Sequence, residues 1–327
     1  MPEKHISICK CCLACCPIEV TVEDGRVTNI AADRQSPWYG GYTCPKGRAQ
    51  HNAHYSPDRI LHPQKRMPDG SYQSIPMQQA IDEISERLQK IIEEHGPRAI
   101  GMFPGSGALN NPVNLSLAAN FIMEMGTFPD RFFSVAAIDQ PGKMIAQALH
   151  GRWLGGPNRF AESDAWIFVG VNPIISKQCL MVHPGRELKD ATGNGMKLIV
   201  VDPRVSETAK HAFLHIRPKP GHDVRILAGI LNIILSEELY DHEFVAAETQ
   251  GIDALKQAVA RYTPQAVAEM ADVPVEQLLL AARTFAAARK GGVGTGTGAH
   301  FALHGSLLEY LALSLKPSRR RSTHRQP

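Results

Sequence analysis

No run of eighteen apolar residues occurs anywhere in the 327-residue chain, so no segment reads as a membrane span. Nor does an apolar stretch follow the N-terminal MPEKHIS, which leaves nothing to serve as the core of a secretory signal. A chain without export signals is expected to be cytoplasmic and to meet a reducing environment. Its odd count of seven cysteines fits that expectation, since clustered thiols there serve as metal ligands or catalytic groups rather than disulfides. Aromatic residues are scarce at 6%. Alanine and aliphatic residues are abundant instead, which suits helices around a parallel sheet. A strong charge imbalance is also missing. The net charge of +3 comes from the C-terminal KPSRRRSTHRQP, where Lys316, Arg319, Arg320, Arg321 and Arg325 outweigh a slightly acidic remainder. The basic balance therefore gives no case for nucleic acid, and the tail reads as a disordered or frame-shifted end.

What the chain does have is concentrated near its start. CKCCLACCPIEV (9–20) holds five of the seven cysteines. Cys9, Cys12 and Cys16 follow C-x2-C-x3-C with a proline after the third, and the next cysteine is Cys44 in TCPKG. Structural zinc usually takes two paired knuckles, and Cys44 has no such partner. Three close thiolates with a distant fourth suit an iron–sulfur cubane, in which each iron needs one thiolate. Cys11 and Cys15 keep a second register open, because Cys12 and Cys15 also form a C-x2-C pair. Between the ligands, Ile18, Val20 and Val22 alternate with polar residues, Asp24-Gly25 supplies a turn, and Val27, Ile30 and Ala32 return. Such a hairpin would bring Cys44 back toward the first three cysteines.

The remainder reads as α/β, and its length suggests two or three domains. Residues 77–95 place Ile81, Ile84, Leu88, Ile91 and Ile92 on one helical face, ended by Gly96-Pro97. RAIGMF then reads as a strand leading to the glycine-rich PGSG, with a helix over 113–125. AWIFVG and KLIVVD read as buried strands of a second α/β unit, ending in Gly170-Val171-Asn172-Pro173 and Asp202-Pro203-Arg204. A helix is expected at about 179–191 between these strands. Further helices follow at about 223–238, 241–248, 251–261 and 274–289. Glycines and polar groups at the carboxyl ends of parallel strands are where open α/β sheets take nucleotides. No G-x-G-x-x-G is present, so a nicotinamide dinucleotide is not indicated.

Together the motifs Cys9-x2-Cys12-x3-Cys16-Pro17, EDGRV, Cys44-Pro45-Lys46-Gly47-Arg48 and Tyr55-Ser56-Pro57-Asp58-Arg59 resemble the molybdopterin oxidoreductase family, the dimethyl sulfoxide reductase superfamily. GVNP, KLIVVDPRVSETAKHA, IRPKPGHD and YTPQAVAEMADVPVEQLLLAARTFA continue the likeness in the family's order, over roughly residues 6–315. The resemblance implies a [4Fe-4S] cluster held by Cys9, Cys12, Cys16 and Cys44, with Cys11 and Cys15 as extra thiols. It implies a molybdenum bis-molybdopterin guanine dinucleotide, and Lys46 as an electron relay between cluster and pterin. Gly170 and Asn172 would approach the dinucleotide phosphates, and Asp202 and Arg204 the guanosine portion. Asp223 would read the guanine edge, whose adjacent N–H donors suit a two-oxygen acceptor. Gly296 and Gly298, in Gly294-Thr295-Gly296-Thr297-Gly298, would pass close to the pterin.

Two departures bear on function. Where relatives place a Cys, selenocysteine, Ser or Asp as molybdenum ligand, MGTFPDRFFSVAAIDQPGK holds no cysteine. Asp139 falls at or beside that position and is the expected ligand, with Ser134 as the other oxygen donor. The competing reading has Asp139 capping the next helix. The cysteine-ligated, formate-dehydrogenase-like subclass is disfavoured. The chain also ends early for the family, so it is expected to be an N-terminal portion. Its expected parts are a cluster lobe at 1–60, half of a central α/β domain at 61–128, a pterin-dinucleotide domain at 129–315 and the basic tail at 316–327. The expected partners are a small-molecule substrate and an electron-transfer protein. Rival readings are a non-catalytic iron–sulfur fragment, a zinc-containing α/β binding protein and a non-redox hydratase.

Overall fold

A computed structural model describes residues 1–12, 14–37, 39–133, 139–150, 159–177 and 183–315. The chain divides into two compact units, residues 1–135 and 136–327.

The first unit opens on a three-stranded antiparallel sheet, β1 (Glu3–Ile8), β2 (Pro17–Glu23) and β3 (Arg26–Ala32), in that order. The predicted hairpin is β2–β3. Its turn sets Asp24 at φ +50° and Gly25 at φ +73°, the paired left-handed residues that a two-residue hairpin loop needs. Ile18 and Ile30 pack under the sheet with Cys9 and Cys16. Strand β1 has no counterpart in the sequence reading. It is an edge strand exposed along its whole length, and its only apolar alternation, Ile6 and Ile8, is too short to announce a strand. After a small hairpin, β4 (Gln64–Arg66) and β5 (Tyr72–Ser74), comes the predicted helix Met77–His95, stopped by Gly96 at φ +79°. A second helix spans Pro112–Glu124.

The predicted strand RAIGMF requires correction. Pro97–Ala99 is a short 3-10 turn, and only Met102 makes a parallel bridge, to Phe132. Apolar content alone does not make a strand. A ladder needs a neighbour to pair with, and among the described residues this segment has one bridging residue.

The second unit is built on a parallel sheet of β6 (Ala165–Val169), β7 (Lys197–Val201), β8 (Leu214–Ile216) and β9 (Gly291–Thr295), in spatial order β8-β7-β6-β9. Side chains alternate between its two faces. Ile167, Val169, Ile199 and Val201 join one core with the helices Asp223–Ser236, Val275–Ala287 and Gly305–Ser314. Trp166, Phe168, Leu198 and Val200 join the other with helix Pro184–Gly193. Ten residues of Asp223–Ser236 are buried, among them Ile226, Ile230 and Ile233 on the predicted face. At about 1.5–3 kcal/mol for each large aliphatic, this helix anchors the unit.

Strand β9 has no counterpart in the sequence reading. In the glycine-rich segment at 294–298, Gly294 and Thr295 finish this strand, which is buried although it pairs only with β6. Glycine is depleted in strands, which hides this one in the sequence. The indole of Trp166 explains it: a Cβ on Gly292 would lie 2.9 Å from that ring.

Candidate functional site

In the first unit the cysteines converge because the sheet and the following turn fold over each other. The Cys9 amide donates to the Cys16 carbonyl at 2.8 Å, closing the cysteine loop. Cys44 precedes the short helix Pro45–Arg48, and the next helix, Gln50–His54, ends at Tyr55. The Tyr55 hydroxyl accepts from the Val27 amide at 2.8 Å, and Arg26 lies over its ring at 3.9 Å. That anchor ties the segment after Cys44 to β3. Gly47 is required in the turn: a Cβ there would sit 2.5 Å from Thr43 Oγ1 and 3.2 Å from Cys9 Sγ.

Burial sorts the thiols. Cys9, Cys16 and Cys44 are buried and Cys12 is half-buried, whereas Cys11 and Cys15 are exposed. Burial pushes the Cys9 thiol up to about 11. Cys16 is also raised, by burial and then by Cys12 and Cys44 nearby. Among the described residues no three His, Cys, Asp or Glu side chains converge closely enough to hold a single ion. Gln50 went unread in the sequence. Its Nε2 donates to Cys9 Sγ at 2.8 Å and to Cys11 Sγ at 3.1 Å. Lys46 is exposed, two residues after Cys44 in the first turn of that helix.

The second unit carries a crevice fixed by topology. From β6 the chain moves outward to β7 and β8, then returns to the opposite side of β6 with β9. Helices following β6 and β9 accordingly pack on opposite faces, through Leu188 and Leu308. Such a reversal opens a crevice at the carboxyl ends of the two strands, where open α/β sheets bind ligands. A cavity of about 450 Å³ lies there, lined by Gly170, Val171, Asn172, Thr295, Gly296 and Gly298, among others. A second cavity, about 570 Å³ among the helices near Tyr240 and Tyr310, contains none of the predicted residues.

The glycines of the crevice serve each other first. Gly170 has φ +58°, and a Cβ on it would meet the Ala299 amide nitrogen at 2.5 Å. A Cβ on Gly296 or Gly298 would meet the Gly170 carbonyl oxygen at 2.6 or 2.9 Å. The two loops interlock backbone to backbone, and that contact forms the crevice wall.

Asp139 stands beside this wall, where its carboxylate accepts from Thr297 Oγ1 at 2.6 Å. Ser134 lies outside the described residues. Asp202 follows β7 and accepts from the Arg204 amide at 2.8 Å. Asp223 is buried at the first turn of its helix, close enough to Asp202 to feel its charge; burial, then Asp202, raises its carboxyl. The Asn172 side chain is already engaged at both ends: its Nδ2 donates to Glu207 at 2.7 Å and its Oδ1 accepts from Thr208 at 2.7 Å.

The sequence reading also missed a buried polar group in the crevice lining. Glu309 accepts from Thr295 Oγ1 and lies 2.7 Å from His300 Nε2. Burial pushes its carboxyl up, but His300, Thr295 and the nearby Lys143 outweigh that and leave it lowered. Its signal was a lone Glu inside the apolar LLEYLALSL.

Residues 59–301 match the family model of molybdopterin oxidoreductase, and residues 3–56 that of the molybdopterin oxidoreductase Fe4S4 domain. The chain belongs to the molybdopterin oxidoreductase family. Its cofactors are those of the family, a [4Fe-4S] cluster and a molybdopterin. Formate dehydrogenase H of Escherichia coli is 28% identical over 312 residues, 90% of this chain and 42% of that relative. The molybdopterin-containing subunit of Salmonella typhimurium thiosulfate reductase is 28% identical over 284 residues, 86% and 36% of the two chains. Among solved structures, acetylene hydratase from Pelobacter acetylenicus matches 97% of this chain and 43% of its own, with a TM-score of 0.82 and 24% identity. That likeness shows the fold, mixed α/β with a small antiparallel lobe. The chain thus spans about two-fifths of the length of these relatives. No helix among the described residues is long and apolar enough to cross a membrane.

Proposed function

We propose that this chain supplies the cluster lobe and a pterin-dinucleotide site of a molybdenum oxidoreductase that exchanges electrons with a partner protein. When bound, the molybdopterin centre supplies the substrate chemistry and the cluster supplies single-electron transfer. Cys9, Cys12, Cys16 and Cys44 hold the cluster in this reading, which their burial supports. Lys46, next to Cys44, is the relay residue. Asp139 offers the oxygen ligand to molybdenum, and Thr297 orients its carboxylate. Gly170, Gly296 and Gly298 form the wall along which the dinucleotide lies. Asn172 faces its phosphates, Arg204 lies at the guanosine portion within reach of the phosphate next to the ribose, and Asp202 and Asp223 supply acceptors for guanosine.

One observation carries the nucleotide half of the reading. The strand-order reversal falls between β6 and β9, the two strands whose carboxyl ends bear the predicted glycines. The test is calorimetric titration of the chain with guanosine diphosphate and adenosine diphosphate. Preferential binding of the guanosine compound is expected, and equal binding of both would remove guanine recognition from the account.

A further inference from the structure

Arg204 and Asn172 come from loops after two different strands, yet one carboxylate holds both. Asn172 Nδ2 donates to Glu207 Oε2 at 2.7 Å, and an Arg204 guanidinium nitrogen donates to the same oxygen at 3.2 Å. The loop that presents Glu207 is firmly seated. Ser206 and Thr208 on either side are fully buried, Ser206 Oγ accepts from the Ala209 amide at 3.2 Å, and Thr208 Oγ1 fixes the Asn172 amide oxygen. Glu207 itself keeps about a third of its side chain in solvent and Arg204 more than half. Asn172, then Arg204, holds the carboxyl down to about 2, so it is charged throughout the physiological range.

A guanidinium and an amide N–H converging on one anionic oxygen form a donor set that suits a phosphate oxygen equally well. Two anions cannot share it. We propose that Glu207 is a placeholder anion for the nucleotide site: it occupies Arg204 and Asn172 in the ligand-free chain and gives them up to a phosphate, thereby setting the site's affinity. The proposal rests on the nucleotide reading above. Displacement is sterically open, because the solvent-facing third of Glu207 leaves it a direction to swing. Thr208 keeps Asn172 aimed after Glu207 leaves. Observed affinity is then the intrinsic affinity reduced by the fraction of molecules in which Glu207 has let go.

Guanosine diphosphate titrated into the full chain tests this with three proteins. Glu207→Asp keeps the charge but shortens the reach to two donors, and is expected to tighten binding about fivefold, the scale of an exposed ion pair. Glu207→Gln is expected to tighten it at least as much. Tightening by Glu207→Gln alone, with Glu207→Asp binding like wild type, would reduce the effect to charge repulsion and overturn the proposal. No binding by any of the three would overturn the nucleotide reading along with it. A second measurement needs no variant. On saturating the wild-type chain with guanosine diphosphate, the Asn172 side-chain amide and the Glu207 carboxyl resonances should both shift. A Glu207 resonance that does not move while nucleotide binds would also overturn the proposal.

Discussion

At the scale of single residues, burial and spacing divide the cysteines the same way. Replacing Cys9, Cys12, Cys16 or Cys44 by Ser is expected to abolish iron binding, while Cys11→Ser and Cys15→Ser keep most of it, as an iron assay on anaerobic protein would show. Complete loss in Cys15→Ser with Cys16→Ser intact would shift the register. Asp223 gives a prediction of opposite sign for stability and binding. Its folded carboxyl is raised by burial, so the native state holds that proton more tightly than the unfolded chain. The cost of ionising it grows as pH rises through the unfolded and then the folded value, and it persists at neutrality. Asp223→Asn should therefore melt higher than wild type at pH 7 without ligand, and the gap should close in acid below the unfolded value. The same variant should bind guanosine diphosphate about 5–150-fold more weakly, the equivalent of about 1–3 kcal/mol for unpaired N–H donors. Unchanged binding would remove Asp223 from the site. Cysteine spacing was readable without a structure because ligation needs particular residues at particular separations. Glu207 and Gln50 were not, because each acts through a partner far away in sequence, 35 residues to Asn172 and 41 to Cys9.

At the scale of elements, legibility followed side-chain pattern. AWIFV and KLIVV announce buried strands through continuous β-branched and aromatic residues, and MQQAIDEISERLQKIIEEH announces its helix through periodicity. GGVGT has almost no side chains to pattern, because the neighbouring Trp166 fills the space above Gly292. Gly292→Val should drive a branched side chain into that indole and destabilise the chain by about 1–3 kcal/mol, measurable by urea unfolding. Gly170→Ala should be worse for function. There the obstacle is the Ala299 backbone at 2.5 Å, which cannot rotate away, and the residue already sits at positive φ. The interlocked loops would separate, so guanosine diphosphate binding is expected to fall well below wild type. Wild-type affinity in Gly170→Ala would show that the loop contact does not shape the site.

At the scale of the whole molecule, the two units differ in how well they cover themselves. Residues of the second fill two cores on either side of its sheet. In the first, helix Met77–His95 has no buried residue, and Ile81, Ile84, Leu117 and Phe121 are 44–64% exposed. Apolar faces of that extent are covered in stable proteins. The 327-residue chain by itself is thus expected to self-associate, and a single monomeric peak in light scattering would contradict that. The family match spans both units, and its weightiest consequence is the metal in the cysteine lobe. The most direct measurement is metal analysis with electron paramagnetic resonance on anaerobically purified chain. The account predicts about four irons per chain and a paramagnetic signal on dithionite reduction. Stoichiometric zinc, with no iron and no signal, would contradict it.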